Sequence, residues 1–320
     1  MKKKGILSYI TPDTYFSGND TMTLREYLVN NTNIKNIIHY TEKDKVFENV
    51  TQAVAVIVML KQNHGKEFSI LVGEKTEIIK YDNLSKANKY IFKSSNSVID
   101  RMERSGQIFS DVCDGYQGEV NLTQKKDYIV EKRENNTFSL IRGIQITKYG
   151  YEKGNEYCSL DAVSRNHTNI ERIVFQEVSN MGLAHRVKGT ILNNVICGHS
   201  TNYIFSKVNG INNKYILSVL NSTAVNYYFK FFNQTNHVPI GELKRIPFPI
   251  PKSEQQKFII NLADKILVTK KDAPQADTSV LEHQIDLLVY HLYGLTFEEA
   301  KIIDENLTEE EFTYSRKLLG

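Results

Sequence analysis

The sequence predicts an α/β segment, then an α+β region rich in short strands, then a helical tail. Residues 53–60 are an unbroken apolar run, which suits a strand buried on both faces and falls short of the roughly 20 residues of a membrane span. Between 106 and 250 the apolar runs are short, and turn residues such as Asn209 and Gly210 separate them. After 251 the apolar residues recur at helical spacing.

The α/β segment contains three predicted strands, at 5–10, 33–40 and 53–60. Thr23 and Glu26 fit a Thr-x-x-Glu capping box that begins a helix between the first two strands. Strand, helix and strand with buried apolar runs indicate part of a parallel or mixed sheet. Three strands are fewer than a doubly wound domain needs, so we expect only the later part of such a domain in residues 1–64.

The remaining chain divides by composition. Residues 65–105 are polar and lysine-rich, and predict a connecting segment with a helix around 83–90. Residues 106–250 predict a mixed, β-rich domain with a helical stretch at 214–232. Residues 251–320 predict a helical C-terminal region.

The predicted tail helices have one apolar face. Ile285, Leu288, Val289 and Leu292 recur at helical spacing. The simplest interpretation is a face that packs on the rest of the chain, and docking of a partner subunit is the alternative. Prolines at 247, 249 and 251 are expected to fix the geometry with which the chain enters this region.

Net charge is unevenly distributed. Residues 1–64 carry +2, residues 65–250 carry +6 and residues 251–320 carry −5. A basic middle with an acidic tail fits a polyanionic partner held by the middle segment. The composition, 41% hydrophobic and 24% charged, excludes a disordered chain and allows two or three domains.

Targeting and metal-site patterns are absent from the sequence. The opening MKKKGILSYITP loses its apolar run at Pro12 and Asp13, too early for a signal peptide, so a cytoplasmic location without membrane association is expected. Cys113, Cys158 and Cys197 form no Cys-x-x-Cys pair and predict buried thiols. The sequence also lacks His-Glu-x-x-His, Gly-x-Ser-x-Gly and Gly-x-Gly, so no metal site is predicted.

Two constellations carry a family resemblance. One runs from GILSYITPDTYF through TLREYL and NIKNIIHYTE to KVFENVTQAVAVIVMLK, and the other joins KYILSVLNSTAVNYYFKFF to HVPIGELKRIPFPIP. In this order and spacing the chain resembles the C-terminal part of TaqI-like adenine-N6 DNA methyltransferases, including type IIG restriction-modification enzymes. The resemblance covers nearly the whole chain and is most specific at 5–60 and 215–251.

The resemblance implies a chain that depends on another part of the enzyme. Family members bind S-adenosylmethionine at a glycine-bearing turn and hold the target adenine with Asn-Pro-Pro-Tyr, and neither motif occurs here. The chain would supply the last strands of a Rossmann-like methyltransferase sheet, bind no cofactor alone and transfer no methyl group alone. The implied partners are double-stranded DNA and a chain carrying the N-terminal methyltransferase part, to which a nuclease can be linked.

Phe47 has two interpretations. An aromatic on the rim of a buried sheet most often belongs to the core, and the minority interpretation is a stacking surface for a planar ligand. In TaqI-like enzymes the aromatic of a Val-Phe pair before the last strands packs on the flipped adenine. The pair Val46 and Phe47 stands at that place, so the resemblance implies that Phe47 stacks on the extruded base.

The resemblance makes the middle domain a target-recognition domain, whose basic residues near short turns would contact DNA. Arg142 and Arg186 are favoured for base recognition because arginine can bind guanine bidentately, and lysines are favoured for phosphates. His185 and Asn202 are secondary candidates with a structural role as the alternative. The predicted DNA-binding set is Lys125, Lys126, Lys132, Arg133, Arg142, Arg186, Lys188, Lys244 and Arg245.

The rival interpretation is a non-catalytic DNA-specificity subunit of a restriction-modification complex. LNSTAVNYYF and IPFPIP are found in such subunits too, but those usually carry two recognition halves, whereas this chain has one. A degenerate gene remnant without activity of its own is a third possibility. No catalytic residue is assigned within the chain under any of these hypotheses.

Overall fold

The computed structural model describes residues 5–16, 21–40, 44, 46–48, 53–84, 90–92, 96–233 and 235–319. The chain forms two compact units. The first comprises Met1–Asn96 with Phe232–Gln234, and the second comprises Ser97–Phe231 with Thr235–Gly320.

In the described residues, the first unit is a five-stranded mixed sheet with one α-helix. The sheet has the order β1-β3-β2-β4-β5, and only β2 and β4 are parallel. β2 is therefore central, β3 with its apolar run lies between β1 and β2, and β1 lies at an edge. The elements are β1 (Ile6–Pro12), α1 (Met22–Asn31), β2 (Asn33–Tyr40), β3 (Val54–Leu60), β4 (Glu67–Val72) and β5 (Lys75–Lys80).

The core of this unit lies mainly on one face of the sheet. Ile34 and Ile37 of β2 and Ala55 and Ile57 of β3 share that face and are almost fully buried. Alternate residues of β3 are only half-buried, so the expectation of a strand buried on both faces is wrong. Burial of such aliphatic side chains is worth about 1.5–3 kcal/mol each, which is why the apolar strands take the inner positions. The three strands predicted at 5–10, 33–40 and 53–60 are confirmed to within a residue or two.

The predicted capping box is wrong. α1 begins at Met22, so Thr23 lies inside the first turn, and the N-cap residue Thr21 makes no side-chain capping bond. Instead Thr21 Oγ1 accepts a hydrogen bond from the buried Arg25 at 2.9 Å. Arg25 also donates to the Tyr15 carbonyl at 2.9 Å, so a tertiary contact replaces the local cap.

The predicted connecting segment over 65–105 is also wrong in its first part. β4 and β5 form a hairpin that extends the sheet, and Gly73 takes a positive φ of 57° in its turn. β5 lies at the sheet edge and has three charged residues among six, whereas the inner strand β4 has one. The polar residues around the hairpin concealed both strands in the sequence. The helix predicted around 83–90 falls largely outside the described residues.

The second unit combines short strands with helices. Its strands are β6 (Cys113–Gln117), β7 (Ile129–Val130), β8 (Thr137–Ile141), β9 (Ile146–Thr147), β10 (Gly150–Tyr151), β11 (Tyr157–Ser159), β12 (Arg172–Gln176), β13 (Gly189–Leu192), β14 (Val195–Cys197) and β15 (Thr201–Ser206). Its helices are α2 (Ser97–Glu103), α3 (Phe109–Val112), α4 (Asn213–Leu220), α5 (Thr223–Phe232), α6 (Ile240–Leu243), α7 (Ser253–Asp272), α8 (Ser279–Leu292), α9 (Phe297–Ile303) and α10 (Glu309–Leu318).

Two four-stranded sheets organise this unit. The antiparallel sheet has the order β13-β12-β15-β6, and the second sheet has the order β14-β8-β11-β7. Alternation along the first sheet sends Ile173, Phe175 and Ile204 toward the helices. Val174 and Tyr203 point to the opposite face, where they join a second apolar cluster with residues of β8 and β14.

The C-terminal helices belong to this second unit. Ile285, Leu288 and Val289 are buried in the same cluster as residues of the antiparallel sheet, and Leu292 packs against it. The packing interpretation of their apolar face is therefore confirmed. Two hydroxyls anchor the proline-rich stretch before α7: Tyr293 donates to the Pro247 carbonyl and Tyr215 to the Pro249 carbonyl, both at 2.7 Å.

The three cysteines are free and buried, as predicted. Burial raises the pKa of the Cys113 and Cys197 thiols to about 12, so neither is a thiolate at neutral pH. Within the described part of the chain, no cluster of ligating side chains could hold a metal ion. No helix in that part is both long and apolar enough to cross a membrane.

Candidate nucleic-acid interface

Four predicted basic residues flank the edge strand β7 of the second sheet. Lys126, Lys132 and Arg133 are exposed, and Lys125 is half-buried with its Nζ 5.3 Å from the centre of the Tyr128 ring. Three exposed acidic residues, Asp127, Glu131 and Glu134, lie on the same two turns beside β7. The exposed charges at this edge therefore balance, and only the individual cations are available for a phosphate contact.

Arg142 follows β8 and is bound to a carboxylate. Its Nε and Nη2 donate to the two oxygens of Glu156 at 2.5 and 2.9 Å, and both side chains are about one-third exposed. This hydrogen bonding raises the pKa of Arg142. The guanidinium fork would have to leave Glu156 before it could bind a base.

The assignment of Arg186 to base recognition is wrong for the described conformation. The residue is only 1% exposed. Its Nη2 lies 3.2, 2.5 and 3.1 Å from the carbonyl oxygens of Ser179, Thr235 and His237, and its Cζ lies 5.0 Å from the Phe229 ring centre. Burial lowers the pKa of Arg186 to about 10, so it remains charged at pH 7 while holding these backbone segments together.

The two secondary candidates, His185 and Asn202, have structural surroundings. Asn202 is buried in β15 and donates to the Val238 carbonyl at 2.9 Å. Burial lowers the pKa of His185 to about 4, so its ring is neutral at pH 7. Neither offers a charge to a DNA phosphate.

The remaining predicted residues lie at two other places. Lys188 precedes β13 and is half-buried. Lys244 caps α6 and Arg245 follows it, the former half-buried and the latter exposed. The Lys244 ammonium lies 5.6 Å from the centre of the Tyr116 ring.

Tyr116 lies in a cluster of aromatic and basic side chains, here called the Tyr116 cluster. On β6 it pairs directly across the sheet with Tyr203 of β15, the ring centres being 5.9 Å apart. His167 and Phe205 lie 5.1 and 6.2 Å from it, and the Arg165 Cζ lies 4.3 Å from the ring centre. Tyr116, His167 and Phe205 are half-buried and Arg165 is exposed, so a ligand can reach the cluster.

A buried ion pair supports this cluster from below. The Arg172 guanidinium donates to the Glu119 carboxylate, and both side chains are fully buried. Arg172 also lies 4.4 Å from the Tyr203 ring centre, and the Tyr203 hydroxyl lies 3.0 Å from His167 Nδ1. These contacts connect the buried ion pair to Tyr203 and His167, and so fix the orientation of the cluster.

Close backbone packing at Gly118 positions Glu119 for its ion pair with Arg172. A Cβ at the preceding residue, Gly118, would lie 2.0 Å from the Gly198 carbonyl oxygen. The Cys197 amide donates to Glu119 at 2.7 Å, so the carboxylate ties β14 to the end of β6. Only glycine fits at 118 without moving one of the two segments.

Sequence reasoning missed most of this cluster. The alternation of Tyr203 and Phe205 along one strand was a usable signal, because both side chains share a face. Arg165 and His167 lie in a polar loop of ordinary composition, and nothing local marks them. Of the cluster's cationic members, the predicted set contained only Lys244.

Phe47 lies in the described stretch 46–48 ahead of β3. Its side chain is 46% exposed, and that of Val46 is 42% exposed. Phe47 is therefore not part of the described core of the first unit, and an aromatic face is available to a ligand. Its role as a stacking residue stays a prediction.

Comparison with family models places two families along the chain in sequence order. Residues 1–47 match the Eco57I restriction-modification methylase model, and residues 116–248 match the TaqI-like C-terminal specificity domain. The resemblance to the C-terminal part of a TaqI-like restriction-modification methylase is confirmed. The TaqI-like match spans the Tyr116 cluster and the β7 edge.

One solved structure has the same fold, and two others align more weakly. The type IIL restriction-modification enzyme MmeI in complex with DNA aligns with a TM-score of 0.63 at 12% identity, over 98% of this chain and 50% of that one. The DrdV–DNA complex aligns with a TM-score of 0.45 at 10% identity, covering 83% and 38%. The HsdS subunit from Thermoanaerobacter tengcongensis aligns with a TM-score of 0.36 at 11% identity, covering 61% and 49%.

This chain spans about half the length of the MmeI chain. The search of curated proteins found no match to the sequence. The likeness to MmeI shows the fold of the chain.

Proposed function

We propose that this chain is the DNA-recognition half of a site-specific adenine-N6 DNA methyltransferase in a restriction-modification system. The observation that carries the proposal is the order of the two family matches, a methylase segment at 1–47 followed by a specificity domain at 116–248. The second unit would read the DNA sequence, and the first would supply one wall of the pocket for the extruded base. A type IIG enzyme, with a linked nuclease, is the arrangement that we favour.

The edge of the first sheet supports a partner that completes the catalytic fold. β1 is apolar, yet Ile6 is 70% exposed and Tyr9 is 60% exposed. An open, apolar edge strand is prone to pair with another chain unless it is covered. We infer that the methyltransferase partner continues the sheet beyond β1 and that β1–β3 are the last strands of a Rossmann-like sheet.

S-adenosylmethionine is assigned to the complete enzyme. It would supply the methyl group for transfer to the adenine N6 amine. The sequence contains neither a Gly-x-Gly turn nor an Asn-Pro-Pro motif, so these residues do not form the cofactor site by themselves. What this chain contributes is binding: basic side chains for the phosphate backbone, polar groups for base edges and Phe47 for the extruded base. The complete enzyme would act in the cytoplasm.

Phe47 provides the first test of this assignment. In the enzyme reconstituted with a partner carrying Asn-Pro-Pro-Tyr, Phe47→Ala should lower methyl transfer at least about fivefold, because a lost base stack costs about 1–3 kcal/mol. Cofactor affinity and thermal stability should stay unchanged. The measurement is single-turnover methylation of a duplex containing the target site.

Tyr27→Ala is the matched control for Phe47→Ala, since Tyr27 is an aromatic on α1 that is 60% exposed. Its activity should equal that of the unaltered enzyme. An equal loss in both variants, or a parallel loss of cofactor affinity in Phe47→Ala, would assign Phe47 to stability rather than to base stacking.

Selection on DNA tests the function as a whole. The purified chain, with and without the methyltransferase partner, is challenged at moderate salt with a randomised duplex pool, and the retained DNA is sequenced. Enrichment of a short asymmetric site that contains adenine, and methylation of that adenine by the reconstituted pair, are the expected results. Salt-sensitive retention without any preferred sequence would argue against a recognition domain.

A non-catalytic specificity subunit is the second candidate. The absence of the two cofactor and adenine motifs from this sequence favours it. The same selection separates the two: a specificity subunit would enrich a site in complex with separate catalytic chains, but Phe47→Ala would leave their methyl transfer unchanged.

A further inference from the structure

We propose that Arg165 is a specificity-determining residue that binds a base edge of duplex DNA, positioned by Tyr116 and flanked by phosphate-binding lysines. This inference rests on the proposed function of the second unit as a DNA-recognition domain. It assigns base recognition to the Tyr116 cluster instead of to Arg186.

The Arg165 side chain is both accessible and ordered. Its guanidinium lies over the Tyr116 ring at 4.3 Å while the residue remains exposed. Arg165 also lies close enough to the Tyr203 hydroxyl to lower its pKa, against a larger increase from burial. Stacking on an aromatic face leaves the edge of the planar guanidinium open, and that edge carries the paired donors that match the guanine O6 and N7 acceptors.

The loop that carries Arg165 is anchored on both sides. The Ser164 amide and hydroxyl donate to the Glu119 carbonyl at 3.3 and 3.1 Å. The carbonyl of the buried Thr168 accepts from the Asn194 amide at 2.8 Å. A loop fixed at residues 164 and 168 loses little further conformational entropy when Arg165 binds a ligand.

The surroundings of the cluster are positively charged. Two cations lie against the Tyr116 ring, the Lys244 ammonium at 5.6 Å and the Arg165 guanidinium at 4.3 Å from its centre. Asp114 is the acidic residue beside them on β6. The excess of cations fits a DNA backbone rather than an acidic-residue or metal partner.

Gly115 sets the position of Lys244. A Cβ at this residue would lie 2.9 Å from Ile240 Cδ1 and 3.1 Å from Lys244 Cε. The absence of a side chain on β6 therefore allows α6 to approach the strand and brings its C-terminal lysine beside Tyr116. A base-reading arginine and a phosphate-binding lysine can thus share one aromatic platform.

Arg165 is better suited to base recognition than the two arginines favoured from sequence. Arg186 is buried and bonded to backbone carbonyls, and Arg142 is bound through both arms of its fork to Glu156. Arg165 is exposed, and its described contacts are to aromatic side chains. Binding a base would require none of these contacts to break.

The test is selection on a randomised duplex pool with the full chain and its Arg165→Ala and Arg165→Lys variants. Arg165→Ala should lose at least about fivefold in preference at one base position, the lower bound for a bidentate contact, while other positions keep theirs. Arg165→Lys should retain DNA as tightly as the unaltered chain but show the same relaxed position, because lysine carries the charge without the fork.

Positioning by Tyr116 is tested in the same pool. Tyr116→Leu should relax the same base position as Arg165→Ala, and Tyr116→Phe should restore it because the ring is kept. Arg316→Ala, at an exposed arginine on α10, is the matched control and should leave the selected site unchanged. Thermal melting checks that each variant is folded.

The possible outcomes separate the two proposals. If the unaltered chain enriches no site, the DNA-recognition function fails and the Arg165 assignment fails with it. If it enriches a site that Arg165→Ala selects with the same preference at every position, only the Arg165 assignment is overturned. A uniform loss of retention in Arg165→Ala, without a relaxed position, overturns base recognition and makes Arg165 a phosphate contact.

Discussion

Glu119→Ala should destabilise the second unit by about 3–5 kcal/mol, the expected cost of removing one partner from a buried ion pair. The substitution leaves the Arg172 guanidinium fully buried without its carboxylate. It also removes the acceptor of the Cys197 amide. Equilibrium unfolding in urea, followed by a spectroscopic signal from the second unit, measures the effect.

Glu156→Ala is the matched control for Glu119→Ala. Glu156 pairs with Arg142 in a similar bidentate geometry, but both side chains are about one-third exposed. Water can replace the lost contact, so the expected loss is below about 1 kcal/mol. Equal losses of unfolding free energy in the two variants would show that burial does not increase the contribution of the Glu119–Arg172 pair to stability.

A double substitution distinguishes the loss of the whole ion pair from the burial of one unpaired charge. In Glu119→Leu with Arg172→Met, no uncompensated buried charge remains, so most of the stability lost in Glu119→Ala should return. Full recovery is not expected, because Arg172 also donates to the Val195 carbonyl at 2.6 Å. A double variant as unstable as the single one would contradict the charge-burial explanation.

Arg186→Leu should cost about 3 kcal/mol, because one buried and two partly buried carbonyls lose their donor, and an unpaired buried acceptor carries a penalty of roughly 1–3 kcal/mol. The three carbonyls belong to Ser179, Thr235 and His237, which the guanidinium connects. The selected DNA site should be unchanged in the folded fraction. Urea unfolding and pool selection on the same preparation measure both quantities.

Arg133→Leu is the matched control for Arg186→Leu, since Arg133 is an exposed arginine beside β7. Its effect on stability should stay within about 0.5 kcal/mol. Loss of DNA retention in Arg133→Leu with no loss of stability would support the β7 edge as a phosphate contact. A relaxed base position in Arg186→Leu would reinstate Arg186 as a base-reading residue and contradict its structural role.

Patterns along the sequence predicted the regular elements well. The apolar runs at 33–40 and 53–60 became β2 and β3, and the amphipathic stretch after 251 became α7 and the helices that follow. The predicted helical stretch after 279 begins with two helices, α8 and α9, separated where Gly294 takes a positive φ of 68°. The spacing of apolar residues was sufficient to predict these elements, because each segment buries one continuous face.

Elements at the sheet edge were harder to predict. β5 lies at the margin of the first sheet, where only Ile79 is buried, and β4 is a short strand within a polar stretch. The predicted boundary at 64 therefore falls inside a sheet that continues to Lys80. Pairing with β2, a contact distant in sequence, decides their conformation.

The sequence by itself determined the order of the elements, the buried thiols and the family that the chain resembles, because each depends on local spacing or on motifs in linear order. Tertiary structure alone decided which charges reach solvent. Arg186 and Arg165 look alike in sequence, yet one is enclosed by carbonyls from residues 179, 235 and 237, and the other is exposed on the Tyr116 ring. The free energy of a charged side chain depends on its neighbours in space, and those neighbours are supplied by distant parts of the chain.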